Sequence, residues 1–306
     1  MYPEAIAGWL RPVMPEREVI GLADEAAFVD ALPDIEVLVA HLPPRGHWAT
    51  AKRLRLLHAV GAGVDGLLPA VGLPSDVIVA NATGVHIPAM SEWIVAALLT
   101  AFKGFDHLHG QQRQNVWRPV WDARPLAGST VCILGLGTIG ADVARLLQPF
   151  AVRIVGTRRT PAPMPGVAEV FGPDQTTETM RGADAVIVLL PRTELTTATI
   201  GPEQLDALKD NAVLVDVSRG GIVDIEAVVE RLGTGKLRTA VVDVWEPEPL
   251  PANSPFWSVP GLVLTPHTAG ANASYVHALS TRMAENIALL EKGEPLISPV
   301  DRERGY

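Results

Sequence analysis

The amino-acid sequence predicts an α/β protein with two doubly wound, parallel-sheet domains. Three observations support this class. The chain has 306 residues, about the length of two domains. Short apolar runs rich in β-branched residues alternate with helical patterns, and most of those runs are continuously apolar. Strands covered on both faces have such runs, and alternation with helices favours right-handed βαβ units in a parallel sheet.

Ten segments have strand character and five have helical periodicity. The predicted strands are 18–21, 36–40, 55–60, 77–81, 130–134, 153–156, 185–190, 212–216, 239–244 and 262–265. The predicted helices are 91–105, 141–147, 202–208, 225–232 and 273–291. Residues 110–128, which include Trp117 and Trp121, show neither period and are expected to be irregular.

The order of these segments predicts a discontinuous first domain. The first four strands would form one sheet and the next six another, while the C-terminal helix would return to the first domain. We therefore expect a smaller first domain of residues 1–94 plus 278–306, and a second domain of residues 95–277.

Composition excludes several classes of protein. The formal net charge of -9 argues against nucleic acid as a main partner, because phosphate binding draws on clustered Lys and Arg. With 48% hydrophobic residues the chain is globular, and Cys132 alone can form neither an intrachain disulfide nor a multi-cysteine metal site. The strongest apolar run, 94–102, is too short to span a bilayer, and the N-terminus lacks a leader pattern. We expect a cytoplasmic protein with no membrane partner and no metal.

Two segments fit the pattern G-x-G-x-x-G, which is informative only between a strand and a helix. The segment 135–140 has both neighbours, because VCIL precedes it and helically spaced apolar residues follow. Its glycines permit a tight turn, close approach of a phosphate and helix packing, and the helix start offers free amides. This pattern predicts a Rossmann dinucleotide-binding domain, with a mere tight turn as the alternative. The candidate cofactor residues are Gly135, Gly137, Thr138, Ile139 and Gly140.

The segment 61–66 also fits the pattern but lacks the helix, because Pro69 follows soon after it. Taken alone it has two interpretations. It is either a loop whose backbone N–H groups face a small anion or an ordinary turn.

Two arginines stand where a dinucleotide site usually has a carboxylate. An acidic residue about 20 positions beyond the glycines commonly binds the ribose 2′-hydroxyl. Here the second strand of the array ends in Thr157-Arg158-Arg159, and guanidinium groups there would attract a 2′-phosphate. The sequence therefore predicts NADP as cofactor, with NADPH preferred to NADH. A solvated basic turn is the alternative.

Three polar side chains, Arg219, Glu248 and His267, follow predicted strands of the second array. Open α/β sheets bind ligands at the carboxyl ends of their strands. Arg219 could bind a carboxylate with its planar fork, and His267 could donate and accept a proton near neutral pH. Glu248 could orient the imidazole and favour its protonated form. Each alone has a purely structural interpretation, but their joint occurrence favours catalysis.

With these motifs the chain resembles the D-isomer-specific 2-hydroxyacid dehydrogenase family over essentially its full length. The resemblance rests on VCILGLGTIG, VLVDVSRGGIVD, VVDVWEPEPLP and LTPHTAG, together with HAVGAGVDGL and NATGVHIPAMSEW upstream. It implies that the smaller first domain is a flavodoxin-like substrate domain and that residues 95–277 bind the dinucleotide. It also implies reversible hydride transfer between a nicotinamide and a small 2-oxo or D-2-hydroxy acid. Glyoxylate and hydroxypyruvate are the family's usual substrates.

The resemblance also implies roles for individual residues. Arg219 would bind the substrate carboxylate and polarise the carbonyl, and the amides of Ala62 and Gly63 would hold the same carboxylate. His267 would be the general acid in reduction, with Glu248 as its partner. Cofactor contacts are also implied at Pro191, Val217, Ser218, Asp243, His267 and Gly270. Among these, Asp243 would reach the nicotinamide carboxamide.

The chain departs from the family pattern at several positions. Arg158 replaces the usual Asp, which bears on cofactor choice. Asp216 replaces a common Asn, and Thr83 replaces a frequent Pro. His41 lies on the loop that shapes the substrate pocket in this family, so contact with substrate is expected there.

Other functions and an assembly state are also compatible with the pattern. Some proteins that resemble this family sense the dinucleotide and act as corepressors without turnover, although this chain has no long polar tail or basic patch. Formate and phosphite dehydrogenases are related, but the formate type tends to lack a glutamate equivalent to Glu248. Related proteins dimerise through the region of Trp117 and Trp121, so we expect a homodimer. Otherwise these tryptophans cover the junction of the chain's own domains.

Overall fold

The computed structural model of the protein describes residues 3–44 and 46–305. The chain forms two units: one runs to His86 and resumes at Asn272, and the other is Ile87–Ala271. The boundaries expected at 94 and 278 therefore lie several residues too far along the chain. The first of them would divide the helix Ala89–Lys103, which packs as a whole within the second unit. Which unit binds substrate and which binds cofactor stays a prediction.

The described residues form nine α-helices and ten β-strands. The helices are α1 (Pro3–Leu10), α2 (Glu25–Ala31), α3 (Ala89–Lys103), α4 (Phe105–Arg113), α5 (Thr138–Leu147), α6 (Thr176–Met180), α7 (Pro202–Ala207), α8 (Ile225–Thr234) and α9 (Tyr275–Lys292). The strands are β1 (Val37–Ala40), β2 (Leu56–Ala59), β3 (Ile78–Ala80), β4 (Thr130–Leu134), β5 (Arg153–Thr157), β6 (Glu169–Phe171), β7 (Ala185–Val188), β8 (Ala212–Asp216), β9 (Leu237–Val242) and β10 (Leu262–Leu264). Within the described part of the chain, none of the helices has both the length and the apolarity needed to cross a membrane.

The second unit contains a seven-stranded parallel sheet in the order β10-β9-β8-β7-β4-β5-β6. Its first strand, β4, lies in the interior of the sheet. The chain builds outwards on one side through β5 and β6, and then on the other side from β7 to β10. A reversal of this kind between β4 and β7 opens a crevice at the carboxyl ends of the strands, where ligands bind. This is the doubly wound Rossmann arrangement that the sequence predicts.

Both faces of this sheet are covered, which explains the continuous apolar runs. Along β4, Val131 and Ile133 pack on the side of α3 and α5, whereas Cys132 and Leu134 pack on the opposite side with α6, α7 and α8. All four side chains are fully buried. Because successive side chains of a strand point to opposite faces, a strand covered on both faces has no polar alternation.

The first unit contains a three-stranded parallel sheet in the order β1-β2-β3. Helix α2 covers one face, and α1 and α9 cover the other. The strand predicted at residues 18–21 is wrong, and this segment pairs with no strand among the described residues. A side chain, and not a neighbouring strand, bonds to this segment, because the Val19 carbonyl accepts a hydrogen bond from Arg11 Nε (3.1 Å). Ile20 is exposed and so does not face a core.

The helix predicted at 91–105 is in fact parts of two helices. Gly104 adopts a left-handed conformation (φ 67°) that ends α3, and α4 begins directly after it. Residues 110–113 therefore belong to α4, and only residues 114–128 of the predicted irregular stretch lack helix and strand. The sequence also missed β6, because this strand begins with the exposed Glu169 and lacks the continuous apolar run of the other short strands.

A buried histidine joins β2 to α9 in the first unit. His58 is 1% exposed, its Nδ1 donates to the Ala59 carbonyl (2.8 Å), and its Nε2 accepts from the Asn286 amide (3.0 Å). Asn286 also exchanges two hydrogen bonds with the backbone of Ile297. Because Nε2 accepts, the ring is neutral, and burial lowers the pKa of His58 to about 4.

Acidification should therefore destabilise the first unit. Between pH 6.5 and pH 4, His58 is protonated in the unfolded chain, where its pKa is 6.5, but stays neutral in the folded chain. The free energy of unfolding therefore falls as the pH decreases through this window. The loss should be on the order of 3 kcal/mol between pH 7 and pH 4. In calorimetry, His58→Gln should be less stable than the wild type at pH 7 but should lose less stability on acidification. The control His47→Gln, at a partly exposed position, should retain the wild-type acid dependence. An equal acid loss in His58→Gln would exclude this role of His58.

Candidate active site

The turn between β4 and α5 accepts only glycine at two positions. Gly135 has a left-handed backbone (φ 106°), and a Cβ there would lie 3.0 Å from the Leu189 carbonyl oxygen. A Cβ on Gly140 would lie 2.4 Å from the carbonyl oxygen of Gly135. The start of α5 is therefore packed tightly against the strand ends, which is the strand–turn–helix arrangement that the sequence predicts.

The start of α5 has the properties of an anion site. Gly137 and Thr138 are exposed, and a Cβ on Gly137 would meet no atom of the described residues within 4 Å apart from those of its own turn. Because the residue that caps the helix is glycine, no side chain of its own satisfies the first amides. Such amides, at the positive end of the helix dipole, fit the pyrophosphate of a dinucleotide.

The two arginines lie beside this turn. Thr157 ends β5, and its backbone carbonyl accepts from the amide of Leu136 (2.8 Å) while its hydroxyl accepts from the amide of Gly135 (3.2 Å). Arg158 and Arg159 follow directly, and both are exposed. Sequence reasoning missed Thr157, although its position at the end of the second strand of the array is the signal that could have identified it.

His267 and Glu248, the predicted acid–base pair, are in contact. His267 Nδ1 lies 2.8 Å from Glu248 Oε2, and the other carboxylate oxygen accepts from the Trp245 amide (2.8 Å). The two side chains are 48% and 37% exposed, respectively. The carboxylate is therefore anchored to the backbone after β9, and it holds an imidazole that solvent or a ligand can reach.

Asp243 organises the loop that carries His267. Its side chain is 1% exposed, and its two oxygens accept from the Thr265 hydroxyl (2.6 Å), the Thr268 amide (2.9 Å) and the Ala269 amide (2.8 Å). Its backbone carbonyl accepts from the His267 amide (2.8 Å). These bonds on both sides of His267 hold that residue in a left-handed conformation (φ 51°), which is uncommon outside glycine. This role could not be predicted from the sequence, because two of the three contacts are to backbone amides and all three donors lie more than twenty residues along the chain.

The other predicted residues of the second unit also lie after strand ends. Val217 and Ser218 are buried directly after β8, and Arg219 is half-buried with its Nη1 donating to the Ser218 carbonyl (2.7 Å). Pro191 is exposed after β7, and Gly270 is half-buried after β10. The carboxyl edge of one sheet thus bears the glycine turn and all three predicted catalytic residues.

The predicted residues of the first unit lie at the carboxyl ends of its own strands. His41 follows β1 and is exposed. Ala62 and Gly63 follow β2 in a loop that no helix continues among the described residues, as expected for the segment 61–66. Asn81, which sequence reasoning missed, fixes this loop by donating to the Ala62 carbonyl (2.8 Å) while accepting from the Thr83 amide (3.0 Å).

A sheet edge that fits a dinucleotide, next to an imidazole held by a carboxylate, is the arrangement of a dinucleotide-dependent dehydrogenase. Comparison with known proteins narrows the class. The sequence profile for the NAD binding domain of D-isomer specific 2-hydroxyacid dehydrogenases matches residues 95–269. The chain belongs to this family, whose members are NAD(P)-dependent oxidoreductases acting on CH–OH groups.

Relatives and solved structures resemble nearly the whole chain, which confirms the resemblance that the motifs indicate. A glyoxylate/hydroxypyruvate reductase A of Klebsiella pneumoniae subsp. pneumoniae is 33% identical over 283 residues, or 90% of this chain and 89% of the relative. The NADPH-dependent glyoxylate/hydroxypyruvate reductase of Sinorhizobium meliloti, solved with NADP and sulfate, has a TM-score of 0.88 at 31% identity, covering 99% of this chain and 96% of that one. A D-isomer specific 2-hydroxyacid dehydrogenase of Xanthobacter autotrophicus Py2, solved with NADPH and MES, has a TM-score of 0.86 at 29% identity, covering 100% and 96%.

Proposed function

We propose that this protein reduces small 2-oxo acids of the glyoxylate and hydroxypyruvate type to D-2-hydroxy acids, with NADPH as cofactor. The observation that carries the proposal is the 2.8 Å contact between His267 Nδ1 and Glu248 Oε2, at the sheet edge that also bears the glycine turn. An imidazole held in this way can protonate a carbonyl oxygen during reduction. Similarity to glyoxylate/hydroxypyruvate reductases supports the substrate type.

The residues around the turn 135–140 would hold the cofactor. NADPH, when bound, supplies the hydride. The N-terminus of α5 would bind the pyrophosphate, and Arg158 and Arg159 would bind the 2′-phosphate. Neighbours solved with NADP or NADPH support this choice. Further contacts are proposed at Pro191, Val217, Ser218, Asp243, His267 and Gly270.

We assign the substrate carboxylate to Arg219 and to the amides of Ala62 and Gly63. A guanidinium offers two parallel N–H groups to a carboxylate, and the same cation would polarise the substrate carbonyl. Asn81 supports the assignment of the Gly63 amide, because its bond to the Ala62 carbonyl (2.8 Å) orients the peptide that carries this amide. His41 would contact the rest of the substrate.

The transferred proton belongs to Nε2 of His267. Glu248 accepts the hydrogen bond of Nδ1, so Nε2 is the nitrogen that remains for a substrate oxygen. The carboxylate charge favours the imidazolium, which gives its Nε2 proton in reduction and recovers it in oxidation. The Trp245 amide on the other Glu248 oxygen keeps the carboxylate in place.

Purified protein should reduce at least one small 2-oxo acid. The assay follows nicotinamide absorbance with glyoxylate, hydroxypyruvate and pyruvate, each tested with NADPH and with NADH. Because glycolate is achiral, chiral chromatography of the hydroxypyruvate product should be used to detect the D-hydroxy acid. Tight dinucleotide binding without turnover across the panel would instead favour a sensing, corepressor-like protein.

His267→Ala should lower kcat by about 10²–10⁴-fold, the usual contribution of a positioned acid. Glu248→Gln should do less harm and shift the pH profile toward acid, because the imidazolium loses its carboxylate. The matched control is Glu246→Gln, a nearby glutamate that pairs with Arg192 (2.9 Å) and should keep kcat and the pH profile. Near-normal turnover of His267→Ala would assign the general acid to another residue.

Replacing both Arg158 and Arg159 with Ala should raise the KM for NADPH roughly ten- to hundredfold and leave that for NADH nearly unchanged. A charged hydrogen bond is worth about 1.5–3 kcal/mol, and each 1.4 kcal/mol is about tenfold in affinity. Added salt should weaken NADPH binding more than NADH binding, because the extra interaction is exposed. As a control, Arg153→Ala removes an exposed arginine that pairs with Glu169 at the other end of β5 and should affect neither cofactor. Equal or better efficiency of the wild type with NADH would contradict this assignment.

We also propose a homodimer that forms through the segment after α4. Trp117 and Trp121 are 101% and 88% exposed in the single chain, and large aromatic side chains of this kind anchor interfaces. Light scattering at micromolar concentration should give twice the chain mass of 32.6 kDa. The double variant Trp117→Ala, Trp121→Ala should shift the mass toward one chain. A single-chain mass for the wild type would exclude the dimer.

A further inference from the structure

Asp216 is a buried carboxyl group behind Arg219. It is the last residue of β8 and is 1% exposed. Its Oδ1 accepts from both the amide (3.0 Å) and the hydroxyl (2.5 Å) of Ser218. The Ser218 carbonyl in turn accepts from Arg219 Nη1 (2.7 Å). A continuous set of hydrogen bonds therefore connects Asp216 to the guanidinium to which we assign the substrate carboxylate.

A second buried carboxyl group lies on the adjacent strand end. The Asp243 amide donates to the Asp216 carbonyl (2.9 Å), and the Asp243 carboxylate accepts three hydrogen bonds. These donors compensate the buried negative charge of Asp243. Burial, and then the charge of Asp243, raises the pKa of Asp216 to about 7, although the Ser218 hydrogen bonds oppose this rise. Because both Ser218 donors use Oδ1, the proton of Asp216 belongs on Oδ2.

The other charged groups around Asp216 are mostly acidic. Its neighbours in the sheet are Val188 on β7 and Val242 on β9. Asp216 lines an open pocket of about 330 Å³ whose other walls carry the acidic side chains Asp224, Glu226 and Glu246. The nearby cations are Arg219, which donates to Ser218, and Arg192, which pairs with Glu246. These surroundings disfavour a second negative charge beside Asp243.

We propose that Asp216 is a positioning residue that holds the Ser218–Arg219 turn and whose proton sets how strongly Arg219 binds an anionic substrate. With the proton on Oδ2, the two buried carboxyl groups carry one negative charge. When the proton leaves to solvent, a second charge close to Arg219 opposes the substrate carboxylate. This inference rests on the proposed function, because it takes the ligand of Arg219 to be a carboxylate.

Asp216→Asn tests the inference, because it removes the titrating group and keeps the Oδ1 acceptor. The ratio of the wild-type KM for glyoxylate to that of the variant should rise by about three- to tenfold between pH 6 and pH 8. The pH dependence of kcat should be the same in both proteins, because neither is changed at His267 or Glu248. The matched control Asp224→Asn removes an exposed carboxylate from the same pocket and retains a good helix cap, so its KM profile should match the wild type.

Thermal unfolding provides a readout that does not depend on catalysis. The folded pKa of Asp216 lies above the unfolded value of 3.8, so the protonated group stabilises fully below pH 3.8 and this stabilisation is lost as the pH rises toward 7. The Tm difference, variant Asp216→Asn minus wild type, should therefore increase by several degrees between pH 5 and pH 8.

Three results would overturn the inference. The first is a Tm difference that does not change with pH, which would mean that Asp216 carries no proton near neutrality. The second is a changing Tm difference with parallel KM profiles in an active enzyme, which would mean that the proton does not act through Arg219. The third is an inactive wild type, which would refute the proposed function and with it the effect on substrate binding. In that case the Tm comparison would still show whether Asp216 is protonated near neutral pH. If the variant does not fold, ¹³C NMR of the aspartate carboxyl groups of the wild type tests the inference instead. Titration of all of these groups below pH 5 would refute the inference.

Discussion

Burial of both faces of the seven-stranded sheet is the constraint on which the rest of the second unit depends. With α3 and α5 on one side and α6, α7 and α8 on the other, the strand interiors have no place for a polar side chain to meet a ligand. Polar groups can reach solvent only where the strands end. The glycine turn, the two arginines and the acid–base pair all lie beyond such ends, and the reversal of strand order between β4 and β7 opens the edge at that point.

Buried hydrogen bonds, rather than apolar packing, give the loops at this edge their shape. The Asp243 carboxylate holds the loop around His267, and Asp216 holds the turn before Arg219. In the first unit, Asn81 does the same for the loop at Ala62. A loop that carries a functional side chain cannot bury its backbone among other loops, so a polar side chain at a strand end satisfies its amides and restricts its conformation.

The sequence predicted nine of the ten strands among the described residues, but it missed β6 and added a strand at residues 18–21. Most of the strands that were found have a continuous apolar signal, whereas β6 begins with Glu169 and has no buried residue. The segment 18–21 has the composition of a strand but lies exposed with a side chain bonded to its backbone, a long-range outcome that no local pattern encodes. Gly104 divides the helix predicted at 91–105, since a glycine inside a helical pattern does not reveal its own backbone conformation.

By itself the sequence determined the fold class and the family, because those depend on residue type at a given spacing, and it supplied the candidate site residues. Arg158 in place of a carboxylate, and Arg219, Glu248 and His267 after three strands, could be read directly. Only the tertiary structure decided which partners each of the carboxyl groups near the site has and how deeply each is buried. It paired Glu248 with the imidazole, surrounded Asp243 with amide donors, and buried Asp216 behind Arg219. The physical reason is that the ionisation and partners of a carboxyl group are set by its burial and by donors from distant strands, which are adjacent only after the sheet has formed.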